Sequence, residues 1–62
     1  MPLVSIKIIE GRTVEQKRGM ARDVTEAIVK NIGCPASAVQ IDIIDLKTEN
    51  YAAGGKLYCD KQ

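Results

Sequence analysis

Residues 3–17 read LVSIKIIEGRTVEQK, and a change of period falls inside them. From Leu3 to Ile9, Val4, Ile6 and Ile8 alternate with Leu3, Ser5, Lys7 and Ile9. A period of two carried by β-branched residues predicts a strand with one purely aliphatic face and one mixed face. Glu10-Gly11-Arg12 breaks the alternation. Thr13 and Gln16 then stand at capping-box spacing, so the Thr13 hydroxyl accepts from the Gln16 amide while the Gln16 side chain reaches back. Glu15 suits the positive end of the helix dipole.

The helix opened by Thr13 is expected to run to about Ile32. Met20, Ala21, Val24, Ala27, Ile28 and Ile32 recur every three or four residues and make one apolar stripe. Glu26 and Lys30 are spaced as a favourable i, i+4 pair. Gly19 weakens the helix locally and suggests close packing there. Gly33 is placed as the C′ residue, and Pro35 prevents continuation.

A second alternating run, VQIDIIDL, spans Val39 to Leu46. Strand, helix and strand make a βαβ unit, so the strands should be parallel and the crossover right-handed. Lys47 to Asn50 reads as a polar loop. Tyr51-Ala52-Ala53-Gly54-Gly55 is apolar and glycine-rich, and Lys56 to Cys59 is expected to form a short tail strand or hairpin arm. The expected fold class is α+β: a single β-α-β domain over residues 1–62 with a short C-terminal hairpin or tail.

Two parallel strands and one helix cannot close a core. A chain of 62 residues buries only about 60% of its unfolded surface and usually needs a staple. Two distant cysteines, Cys34 and Cys59, and no histidine make a disulfide framework or a structural zinc a poor choice. No secretory leader is read, so a cytoplasmic setting with reduced thiols is expected. Oligomerisation is the remaining staple. A second copy extends the sheet, and further copies cover its open face. The 45% apolar fraction, with no Trp or Phe, fits such a subunit.

Charge excludes other classes. Nine basic and eight acidic residues are interleaved, for a net charge of +1, which leaves no basic footprint for nucleic acid or membrane. No apolar run approaches the ~18 residues of a spanning helix.

With no imidazole, acid–base work near neutrality falls to carboxylates, thiols or the α-amino group, whose reference pKa is about 7.7–8.0. Pro2 follows the initiator. Methionine is removed from nascent chains when the next residue is small, and proline qualifies. Its removal leaves a secondary amine at the chain terminus. Burial and a nearby cation such as Arg12 both disfavour the protonated amine and move its pKa toward ambient pH. The alternative is that Pro2 is a strand-edge residue where a missing N–H costs nothing. Arg12, between strand and helix, either offers its fork to a carboxylate or is a surface arginine. The segment ending at Lys56 fails the phosphate-loop pattern, because Asn50 and Leu57 stand where Gly and Ser/Thr are needed. Cys34 and Cys59 lack an activating partner in the sequence. Asp42 and Asp45, three apart in a strand, point to opposite faces and form no dyad.

Together, Pro2, the aliphatic strand, Glu10 to Lys17 (EGRTVEQK), Val24 to Ala27 (VTEA), the second strand and Tyr51-x-x-Gly54-Gly55 resemble the 4-oxalocrotonate tautomerase family over nearly the whole chain. The resemblance implies a β-α-β subunit forming dimers, with the dimers assembled into a hexamer. It implies that the Pro2 amine is the general base. That amine moves a proton from the dienol hydroxyl of a 2-hydroxymuconate-like acid to carbon, with no metal or organic cofactor. It implies that Arg12 binds a substrate carboxylate, with Gln40 and Tyr51 also at the substrate. Gln40 stands where familiar members carry a second arginine, early in strand two and supplied from a neighbouring subunit, and Tyr51 where they carry a phenylalanine that keeps the site dry. Ala52-Ala53 replaces a Gly-Ile type pair. These departures point to phenylenolpyruvate, a monocarboxylate enol, as a test compound. The competing reading is a non-catalytic oligomeric binding or scaffold protein of the same fold.

Overall fold

The computed structural model describes residues 1–60. Strand β1 (Leu3–Ile9) leads into helix α1 (Val14–Ile32), a 3-10 turn (Ala36–Ala38), and strand β2 (Gln40–Leu46). A second 3-10 turn (Thr48–Asn50), the two-residue strands β3 (Ala52–Ala53) and β4 (Lys56–Leu57), and a last 3-10 turn (Tyr58–Asp60) complete it. β1 and β2 are parallel, with Leu3 opposite Gln40 and Ile9 opposite Leu46. β3 and β4 pair antiparallel, Ala53 opposite Lys56. The expected β-α-β unit and C-terminal hairpin are both present.

The local chemistry explains the boundaries. Both halves of the capping box form: Gln16 N–H donates to Thr13 Oγ1 at 3.1 Å and Thr13 N–H donates to Gln16 Oε1 at 2.9 Å. Such a cap contributes about 1 kcal/mol. At the other end Gly33 adopts φ +83°, and its N–H donates to Val29 O at 2.9 Å. That left-handed geometry disfavours any residue with a Cβ. The hairpin turns on Gly54 and Gly55, both at positive φ, as a two-residue loop that follows the strand twist requires.

Several details differ from the sequence expectations. β2 starts at Gln40, because Val39 N–H is taken by Ala36 O, closing the preceding turn. The expected tail strand ends at Leu57: Tyr58 N–H still donates across the hairpin to Tyr51 O at 2.8 Å, but Tyr58–Asp60 coil into a turn. Ala27 and Ile32 are exposed, Ile32 at 66%. The covered side of α1 instead includes Lys17, Met20, Ala21, Val24, Thr25, Ile28 and Val29. Glu26 and Lys30 form no ion pair among the described residues; Glu15 pairs with Arg18 and Asp23 with Arg22. A Cβ built on Gly19 would meet only Arg22 Nη2 at 3.6 Å, so nothing among the described residues packs tightly there.

The helix lies on one sheet face. That face carries Val4, Ile6 and Ile8 of β1 and Ile41 and Ile43 of β2, all half-buried. The opposite face, with Leu3, Ser5, Lys7 and Ile9 beside Gln40, Asp42, Ile44 and Leu46, is open except at Ile9 and Leu46, which are half-buried near Tyr51 and Tyr58. No described side chain is fully buried. The chain extends 43 × 23 × 14 Å with a radius of gyration of 14.8 Å, against roughly 10.6 Å for a compact domain of this length. Its accessible surface is 4807 Å², against about 3,950 Å² for a self-contained monomer of this mass.

Candidate active site

Pro2 is half-buried just ahead of β1, in the alternation that places Val4, Ile6 and Ile8 beneath the helix. Its carbonyl accepts from Gln40 N–H at 3.0 Å, which locks the start of β1 to the start of β2. Met1 projects from that end and is 83% exposed. Gln40 is exposed and pairs in register with Leu3, so its side chain lies on the open face. Pro2 and Gln40 are thus neighbours through the backbone.

Arg12 and Tyr51 sit at the other end of the ladder. The link carrying Arg12 is held on both sides, by Glu10 N–H donating to Leu46 O at 2.8 Å and by the Thr13 cap. Arg12 lines a hollow of about 250 Å³ with Ile8, Gln16, Lys17 and Met20. Its guanidinium has no carboxylate partner among the described residues: Glu10 Oε2 lies 3.4 Å from the Thr48 amide that donates to it, and Glu15 is taken by Arg18. Tyr51 lies on the far side of Ile8 in a larger hollow of about 570 Å³, with Lys7, Ile9, Leu46 and Tyr58. The Tyr51 and Tyr58 rings are 6.2 Å apart and tilted by 58°, the edge-to-face range for aromatic pairs.

One chain therefore divides its four predicted site residues between the two ends of the ladder and does not bring them together. Seven residues of β1 separate the two ends, a span of about 23 Å at ~3.3 Å per residue.

Two features escaped the sequence. Lys17 Nζ donates to Asp45 Oδ2 at 2.7 Å across the helix–sheet interface. Asp45 pairs in register with Ile8 and is a charge on an otherwise aliphatic face. The available signals were a lysine in the first turn of a helix, where the dipole disfavours it, and an aspartate in phase with Ile41 and Ile43. Tyr58 as a ring partner for Tyr51 was also missed. Asp42 accepts from Ser5 Oγ at 3.0 Å on the open face, so the two aspartates do face opposite ways. Cys34 and Cys59 are free thiols. No group of three metal-ligating side chains is assembled among the described residues, and no helix is long and apolar enough to cross a membrane.

Comparison with known proteins matches residues 2–61 to the family described as tautomerase enzyme. A probable tautomerase of Streptococcus pneumoniae is 47% identical over 57 residues, 92% of this chain and 95% of that protein. The 2-hydroxymuconate tautomerase of Bacillus subtilis is 37% identical over 62 residues and the whole of both chains. Among solved structures, YwhB, a homologue of 4-oxalocrotonate tautomerase, superposes with a TM-score of 0.94 at 36% identity, covering 98% of this chain and 100% of its own. A heterohexameric 4-oxalocrotonate tautomerase from Chloroflexus aurantiacus superposes at 0.93 with 27% identity, over the whole of both chains. The family match and the superpositions cover nearly the whole chain, and the chain belongs to the tautomerase family, as an isomerase of the 4-oxalocrotonate tautomerase type.

Proposed function

We propose that this chain is a cofactor-free enol–keto tautomerase acting on enol carboxylates, with the Pro2 amine as general base. Removal of Met1 exposes that amine at a half-buried position. The neutral nitrogen takes the proton from the substrate's enol hydroxyl. As the O–H bond breaks, the carbonyl forms, and the electron pair moves along the conjugated chain. The far carbon then takes the proton back from the Pro2 ammonium, giving the α,β-unsaturated ketone. Arg12 holds the far end of the substrate and draws electron density toward it, and stabilising developing charge is usually the largest catalytic contribution. Gln40 donates a hydrogen bond at the keto-acid end without adding charge. Tyr51 shields the site from water.

The observation that carries this reading is the division of the site residues between the two ends of β1. An antiparallel pairing of two β1 edges about a two-fold axis places Pro2 of one copy beside Arg12 and Tyr51 of the other, and generates two equivalent sites. The excess accessible surface and the apolar residues Leu3, Ile9, Ile44 and Leu46 of the mixed open face supply the driving force for assembly, and three dimers make a hexamer like the six-subunit relative. A cytoplasmic location, with both thiols reduced, completes the reading.

Intact mass and turnover test it. The native protein should lack one methionine mass and ketonise 2-hydroxymuconate or phenylenolpyruvate, followed by ultraviolet absorbance. Pro2→Ala should lose most of that rate. Equal rates for the two proteins would remove Pro2 from the mechanism and favour the scaffold reading.

A further inference from the structure

We infer that Asp45, by holding the Lys17 ammonium, leaves Arg12 as the one unpaired cation among the described residues at its hollow and so limits how tightly the chain holds a second substrate carboxylate there. The inference rests on the tautomerase reading for its substrate class, but not for its electrostatics.

Lys17 and Arg12 line the same small hollow, so two basic side chains border one space. Lys17 is not available there as a free charge, because its Nζ lies 2.7 Å from Asp45 Oδ2. Arg12 has no such counter-ion among the described residues, since Glu10 and Glu15 are engaged elsewhere. Both members of the pair break a local rule. Lys17 sits in the first turn of α1 against the dipole, and Asp45 interrupts the aliphatic face under the helix. Local rules are most often broken where function requires it. The Lys17 and Asp45 side chains are 27% and 44% exposed, and an ion pair this wet adds little stability. Its larger consequence is the charge left in the hollow. Two unneutralised cations would favour substrates bringing a second carboxylate to the Arg12 end. One free cation, Arg12, keeps a smaller share of that advantage, and Gln40 adds no charge at the other end.

The test uses the methionine-processed oligomer and two readouts. Adipate, an unreactive six-carbon dicarboxylate, reports anion affinity by calorimetry without turnover. Asp45→Asn frees Lys17 and should tighten adipate binding about threefold, the size of one exposed charge contact. Lys17→Met leaves Asp45 to cancel Arg12 and should weaken it by a similar factor. The double variant, with Arg12 alone, should return to the parental affinity. In turnover, Asp45→Asn should lower KM for 2-hydroxymuconate about threefold with kcat unchanged, while phenylenolpyruvate, whose carboxylate lies at the Gln40 end, is unaffected. A pair that only tethers helix to sheet would give both single variants the same sign, or no change in adipate affinity, and either result overturns the inference. Parental protein that binds adipate with these signs but ketonises nothing would instead overturn the tautomerase reading alone.

Discussion

Mixing two inactive variants should restore activity to a defined level. Pro2→Ala removes the base and Arg12→Ala removes the far-end carboxylate anchor. Within one chain these positions lie about 23 Å apart along β1, far beyond the reach of one arginine side chain. If each site takes Pro2 from one copy and Arg12 from its two-fold mate, a mixed dimer contains one intact site and one doubly defective site. Unfolding an equimolar mixture and refolding it gives mixed dimers in half the population. Intact sites are then about one quarter of the total under two-fold pairing. The ketonisation rate of an enol acid, followed by absorbance, should rise to about 25% of the parental rate above the average of the two pure variants. A rate equal to that average would place both residues of each site in the same chain and refute the split-site reasoning.

Two further outcomes follow from the same geometry. Thr13→Ala removes a cap adjacent to Arg12, so it should cost about 1 kcal/mol and lower the melting midpoint by roughly 4–8 °C, with a raised KM for carboxylate substrates; an unchanged KM would show that the cap does not orient Arg12. Gln40→Arg adds the missing charge at the Pro2 end and should lower KM for a dicarboxylate enol about fivefold, the scale of a charged hydrogen bond over a neutral one. Steady-state kinetics decides it, and an unaltered KM would remove Gln40 from the site.

What the sequence made legible was local. The β1 alternation, the Thr13–Gln16 box and the Gly33 stop each depend on residues within one or two turns of one another, and the structure forms all three. Tertiary coverage was less legible. Ala27 and Ile32 fit the helical period, yet one helix on two strands covers too narrow a stripe to bury them. The Lys17–Asp45 contact joins positions 28 residues apart and depends on the register that sets Asp45 opposite Ile8. That register is absent from any local pattern. The identities of Pro2, Arg12, Gln40 and Tyr51 could be named from the family resemblance. That Pro2 and Arg12 flank β1 was legible too, but setting Gln40 at the Pro2 end and Tyr51 at the Arg12 end needed the parallel register of the ladder.

The most direct measurement is a nitrogen-15 titration of Pro2 in the methionine-processed oligomer, set beside the pH dependence of kcat/KM. A dry site facing a neighbour's cation should hold the amine below the reference range of about 7.7–8.0 for a chain terminus, and the same value should mark the acidic limb of the rate profile. A Pro2 nitrogen that titrates at or above that range, or a rate profile with no matching limb, would contradict the assignment of the base.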